Sequence, residues 1–354
     1  MSFTSVFAYK KILLLHNTHS YLICARIAVC LSLATLLCIN DTTEILALPA
    51  KNIRQTTLLS LILSYFSHDN LPVFRDYWIL SSIRYLSLFS LILASCGIAI
   101  RTNLIIGAIT YTLHYHHIIS YTHFFHSGLI PLQILYVLCL TNHDYNPNCK
   151  NNAVLSNQVA IYCIYITYGL SYFCAGLSKL KVTPFWGLSD NLKIFMLSDS
   201  LSLVEYDFNL APKYFASGYA EWPILILGIA TVIVELSGIL IPFYNKARKY
   251  CSIAILLLHV GIFLGHEFIF IDLCILPIIL FAPFIFCKNK ILNSLSNPKQ
   301  EYNFNLIETL TPWFLTTIIL SGCFFKIEQF PIFTAWGMYA TNNQDKERVT
   351  YLKI

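Results

Sequence analysis

Apolar residues in this chain come in long runs separated by short polar stretches. Scanned with a window of about 20 residues, the length a helix needs to cross the hydrocarbon layer, the runs fall at Tyr21 to Asn40, Ile79 to Ile100, Asn103 to Ser120, Phe124 to Thr141, Val159 to Leu177, Trp222 to Phe243, Tyr250 to His266, Ile271 to Cys287 and Leu310 to Phe325. The pattern predicts an all-α, polytopic membrane bundle of about nine transmembrane helices. Pro131 falls inside the fourth run and Pro277 and Pro283 inside the eighth. Membrane helices tolerate proline where neighbouring helices satisfy the freed backbone groups.

The segments between the runs set the domain plan: an N-terminal tail over residues 1–20, one transmembrane domain over 21–326 and a short C-terminal tail over 327–354. Lys10 and Lys11 precede Ile12 to Leu15, but His16 to Ser20 break that run too early for a signal peptide, so no cleavage is expected. Two connections are long. Asp41 to Tyr77 contains Leu58 to Leu63, which reads as an interfacial helix, and Leu180 to Glu221, rich in Asp, Ser, Tyr and Phe, could form a cap. No internal repeat is visible.

Lysine and arginine orient the spans. An inside N-terminus places Lys10, Lys11, Arg101, Lys150, the group Lys246, Arg248 and Lys249, and the pair Lys288 and Lys290 on the cytoplasmic side, as the positive-inside rule requires. The turn from Glu267 to Asp272 and both long connections then lie outside, and Lys179 faces the outer half of the membrane. In a prokaryote the protein would sit in the bacterial inner membrane.

Composition agrees with lipid as the main partner. Hydrophobic residues make up 56% of 354, charged residues only 12%, and mean hydropathy is +0.63. A soluble globule carries about 25% charged residues. The net charge of +5 is dispersed beside apolar runs, which excludes a nucleic-acid footprint. Most of the twelve cysteines lie in apolar stretches with no C-x-x-C, so they read as packing residues, with Cys149 in a polar loop the candidate reactive thiol.

Ionisable residues inside the runs are the candidates for chemistry. Arg26, Arg84 and Glu235 each lie within a span, where a buried ion pair fixing helix register would account for them. Lys179 closes the apolar stretch Tyr172 to Leu180, with Lys181 two residues on. Two readings stand for it: a snorkelling lysine whose ammonium reaches the headgroups, or a desolvated amine able to take a proton near neutral pH. Spacing does not separate them.

A histidine cluster follows a similar logic. On one continuous helix His114 and His117 share a face, while His116, His123 and His126 share another, and His259 and His266 lie downstream. The spacing is a poor match to di-iron histidine boxes, so no metal is expected, and interfacial placement or proton transfer remain as readings. The sequence has no P-loop, no G-x-G-x-x-G, no G-x-S-x-G and no H-E-x-x-H.

Four elements together carry a family resemblance: Ala25-Arg26-Ile27; His126-Ser127 through Asn142-His143-Asp144; Tyr172 to Lys179-Leu180 with Trp186 and Asn191-Leu192; and Glu235 with Pro242, Arg248 and His259. In this order they resemble the HTTM (horizontally transferred transmembrane) family, whose domain forms the membrane part of vitamin K-dependent gamma-carboxylases. The resemblance covers roughly Tyr21 to Phe286.

The resemblance implies a carboxylase-like lyase in which Lys179 is the base that deprotonates a reduced quinone. Oxygenation of the quinone would then generate the strong base that removes the gamma proton of a glutamate before carbon dioxide adds. It also implies a functional histidine at His126, with His259, Glu235, Arg248 and Trp186 in supporting roles. The animal enzymes carry a lysine pair where this chain has Ser178-Lys179, and they continue into a large lumenal domain, whereas residues 327–354 follow the last predicted span here. Two alternatives stay open: a non-catalytic membrane factor for maturation or export of a secreted peptide, bound through Leu180 to Glu221, and a quinone-linked membrane oxidoreductase. The partners implied are the bilayer, an isoprenoid quinone and a peptide or small protein substrate.

Overall fold

A computed structural model describes residues 18–40, 43, 46, 58–66, 73–120, 127–141, 155–182, 221–266, 270, 272–277, 279 and 306–325. The helices are α1 (Thr18–Ile39), α2 (Leu58–Phe66), α3 (Tyr77–Ser95), α4 (Ile100–Ile119), α5 (Leu129–Cys139), α6 (Asn157–Val182), α7 (Glu221–Ser237), α8 (Asn245–His266) and α9 (Leu306–Phe325), with a 3-10 turn at Gly238–Leu240 continuing α7. Among the described residues there is no strand, only an isolated bridge between Thr141 and Leu155.

Among the described residues five helical segments are long and apolar enough to cross a membrane: Tyr21–Ile39, Tyr77–Ser95, Asn157–Lys181, Trp222–Leu240 and Lys246–Leu264. The sequence pattern predicts about nine, and the other four runs are shorter, more polar or only partly described. In α5 the helix begins at Leu129, so Pro131 sits in the first turn, where its missing N–H is one that no helical carbonyl would have met. The 11 residues of α5 reach only about 16 Å, half a hydrocarbon thickness. α4 is long enough, but Arg101, Asn103, Thr110, Thr112 and three histidines dilute its apolar character. α9 contributes the apolar segment Leu306–Leu320. Of the predicted eighth span, residues 272–277 and 279 are described and helical, and Phe281 to Cys287 lie outside the described residues.

The helix at the centre is α6. It packs against α1, α5, α7, α9 and the 3-10 turn, and 94% of its membrane-length window is buried, against 28 to 33% for the windows of α3, α7 and α8. Its apolar and aromatic residues run all round, as a helix enclosed by others requires. α7 is one-sided: Ile224, Gly228, Val232 and Glu235 face inward at helical spacing, while Trp222, Ile226, Ile229 and Ile233 form an exposed apolar stripe. In water such a surface would be an association liability, and lipid is the solvent that suits it.

Side chains finish the helix ends. Asp76 caps α3 by accepting from the Ile79 N–H at 3.0 Å. Arg84 donates to the Leu37 and Cys38 carbonyls at 2.9 and 3.3 Å, closing the C-terminus of α1. Its guanidinium therefore meets backbone carbonyls of a neighbouring helix.

Candidate functional site

One face of α6 carries Gly169, Tyr172, Gly176 and Lys179, spaced three, four and three residues apart, so they line a single seam. The glycines let α7 and its 3-10 extension approach. A Cβ on Gly169 would lie 2.6 Å from the Gly238 carbonyl oxygen, and one on Gly176 would lie 3.1 Å from Glu235 Cβ and from the Leu236 side chain. That close approach brings Glu235 level with Lys179.

Lys179 Nζ donates to Glu235 Oε1 at 2.5 Å and to Oε2 at 2.6 Å. The side chains are 2% and 8% exposed. A single ammonium thus satisfies both carboxylate oxygens in a site from which water is excluded. The lysine points into the protein and does not snorkel, and the glutamate has a named counter-charge. Breaking such a pair by removing one partner leaves a buried charge uncompensated.

Beside the pair lies a second polar contact. The Tyr172 hydroxyl and His259 Nε2 are 2.7 Å apart, joining α6 to α8. The imidazole is 5% exposed and lies between the Tyr172 ring, centroids 5.8 Å apart, and the Phe270 ring at 5.6 Å. Lys179 acts on His259 electrostatically. His259 Nδ1 is buried and has no hydrogen-bond partner among the described residues.

Arg248 is not in this group. The sequence reading places it in a cytoplasmic loop with Lys246 and Lys249. It is instead buried in the first turn of α8, while the two lysines stay exposed. Its guanidinium donates to the Ile241 carbonyl at 2.9 Å and the Pro242 carbonyl at 3.1 Å, and lies 4.2 Å from the Tyr165 ring centroid. Tyr165 and Lys179 are about four turns apart on α6, roughly 21 Å, so Arg248 fastens the far end of the seam.

Of the six residues singled out from the sequence, Lys179, Glu235 and His259 converge and Arg248 does not. His126 and Trp186 lie outside the described residues. Ser127, next to His126, donates to Asp272 Oδ1 at 2.9 Å, and the Gly128 N–H donates to Asp272 Oδ2 at 2.7 Å. Asp272, which the topology reading places in an outer turn, is fully buried and caps the N-terminus of α5. Sequence reasoning missed both Tyr172 and Asp272. Tyr172 was detectable as the residue two turns before Lys179 on the same face; Asp272 had the signal of an acid opening an apolar stretch.

Of the upstream histidines, His114, His116 and His117 are buried on α4, and His123, like His126, lies outside the described residues. His117 Nε2 accepts from the Phe74 N–H at 3.0 Å, so Nδ1 carries the proton and donates to the Leu113 carbonyl at 2.5 Å. Both nitrogens of His117 serve the fold. Among the described residues no three His, Cys, Asp or Glu side chains converge on a position for a metal ion.

The geometry defines a helical protein with membrane-length helices and a buried cation–anion pair flanked by a histidine–tyrosine contact. Comparison with protein-family models, with curated proteins and with solved structures gives no match.

Proposed function

We propose that this chain is a multi-pass integral membrane protein of the HTTM, gamma-carboxylase-like type, and that the Lys179–Glu235 pair is its proton-handling centre, acting on a lipid-soluble reduced quinone. The observation that supports this reading is the withdrawal of the Lys179 amine from solvent and its two short contacts to Glu235. An ammonium so close to a carboxylate can pass its proton across, giving a neutral amine beside a neutral acid without creating a net buried charge. In that state the amine is able to take a proton from a ligand hydroxyl, and Glu235 holds the proton it received. Glu235 therefore sets the protonation state of Lys179, and Lys179 meets the ligand.

The residues fit such a ligand. The Tyr172 and Phe270 rings beside His259 would suit an aromatic headgroup, and the buried His259 Nδ1 would offer a hydrogen bond to its oxygen. When bound, a reduced quinone would supply the electrons for oxygen chemistry. The chain's own part is to bind and orient the headgroup, exclude water and move one proton at Lys179 Nζ.

The test is quinol-dependent oxygen uptake by purified protein in lipid nanodiscs. Lys179→Ala should abolish uptake while the protein still inserts. Uptake retained in that variant overturns the proposal, and intact secretion of a client peptide by cells carrying it would favour the export-factor alternative.

A further inference from the structure

We infer that His259 Nδ1 is the hydrogen-bond anchor for the oxygen-bearing headgroup of a neutral, lipid-soluble ligand seated against the Lys179–Glu235 pair. The inference rests on reading the pair as a functional site, but it does not require the ligand to be a quinone.

Two buried histidines in this protein differ in one respect. His117 uses both ring nitrogens, with Phe74 on one side and Leu113 on the other. His259 is also buried but uses only Nε2, on the Tyr172 hydroxyl, and Nδ1 meets no hydrogen-bonding atom among the described residues. Other buried side-chain atoms, the Tyr21 and Tyr168 hydroxyls among them, also lack a hydrogen bond among the described residues, and His259 Nδ1 is set apart by its place near a buried ion pair, where a ligand atom would find both polar and apolar neighbours.

The chemistry of the ligand follows from its surroundings. Lys179 and Glu235 cancel each other, so a charged headgroup would stand uncompensated while a neutral one would not. The Tyr172 contact fixes how Nδ1 can behave. If Tyr172 donates to Nε2, Nδ1 carries the proton and donates to a carbonyl; if Nε2 carries it and Tyr172 accepts, Nδ1 accepts from a hydroxyl. The same nitrogen can thus hold either a carbonyl or a hydroxyl oxygen after one tautomer exchange. The Phe270 and Tyr172 rings lie against the imidazole, and α7 and α8 carry exposed apolar residues that suit a ligand with an apolar body.

The test uses two neutral probes, decylubiquinone and farnesol, on protein labelled with nitrogen-15 histidine in detergent micelles, with dissociation constants from calorimetry. The expected result is that at least one probe moves the His259 Nδ1 resonance and that His259→Phe, which keeps the ring packing, weakens its binding about tenfold or more. Decylubiquinone bound equally by wild type and His259→Phe overturns the inference and leaves the quinone reading standing. Farnesol bound through His259 with no binding of decylubiquinone in either its oxidised or its reduced form supports the inference and overturns the quinone reading. Failure of both probes to move the wild-type resonance overturns the inference, and that measurement decides the matter if His259→Phe does not fold.

Discussion

Lys179 and Glu235 lie on helices that residues 183–220 separate in sequence, yet one ammonium reaches both oxygens of one carboxylate, at 2.5 and 2.6 Å. The contact ties the end of the central helix α6 to α7 at a point that solvent does not reach.

Removing one partner should cost far more than removing both. Lys179→Met alone strands a buried carboxylate and should destabilise by about 3–5 kcal/mol. Lys179→Met combined with Glu235→Leu should recover most of that loss, because two apolar side chains suit the site. Thermal unfolding in detergent measures this, and a double variant as unstable as the sum of the singles would contradict it.

The glycine seam makes a separate prediction. A Cβ at Gly238 would come 2.5 Å from the Gly169 carbonyl oxygen and 3.1 Å from Tyr172 Cβ, both fixed atoms. Gly238→Ala should therefore push the 3-10 turn away from α6 and destabilise by about 1–3 kcal/mol. Gly261→Ala, where nothing lies within 4 Å of the added carbon, should be neutral or slightly stabilising in the same melting experiment.

Membrane-length apolar runs were legible directly, because the bilayer sets a length that composition alone can meet; Tyr21–Ile39 and Trp222–Leu240 fall within a few residues of where the pattern puts them. The ends and the shorter helices were less so. Pro131 lies in an unbroken apolar run, and only the Asp272 cap at Ser127 and Gly128 shows that the helix starts just before the proline. Lys179 and Glu235 were each visible as costly charges in apolar surroundings, but their pairing was not, since it depends on Gly169 and Gly176 letting α7, on the far side of residues 183–220, approach α6. The reading of Arg248 erred for a related reason: a basic cluster after a span resembles a topology signal, and nothing local shows that the middle residue folds back onto Tyr165.

Arg248 should not tolerate lysine. A lysine cannot keep the planar two-carbonyl contact and the ring stacking together. Arg248→Lys should lower stability by about 2 kcal/mol, whereas Lys249→Ala at the neighbouring exposed position should change it by less than about 0.5 kcal/mol. Equal effects at the two positions would remove Arg248 from its fastening role.

Asp272 accepts from Ser127 on one oxygen and from Gly128 on the other, so Asp272→Asn turns one acceptor into an amide that faces a donor. A loss of about 1–3 kcal/mol is expected. Ser127→Ala, which removes one of the two bonds and leaves the Gly128 contact, should cost less. Melting curves that rank the two variants in the opposite order would show that Asp272 does not hold the start of α5.

The central claim is that the Lys179 amine is enclosed by protein. Lys181, two residues further along α6, is exposed and provides an internal control. Purified protein should be treated with an amine-reactive N-hydroxysuccinimide ester and the modified lysines located by mass spectrometry. Enclosure predicts that Lys181 is modified while Lys179 stays protected, and that Lys179 becomes reactive when the protein is unfolded. Modification of Lys179 to the same extent as Lys181 in the folded protein would contradict the account.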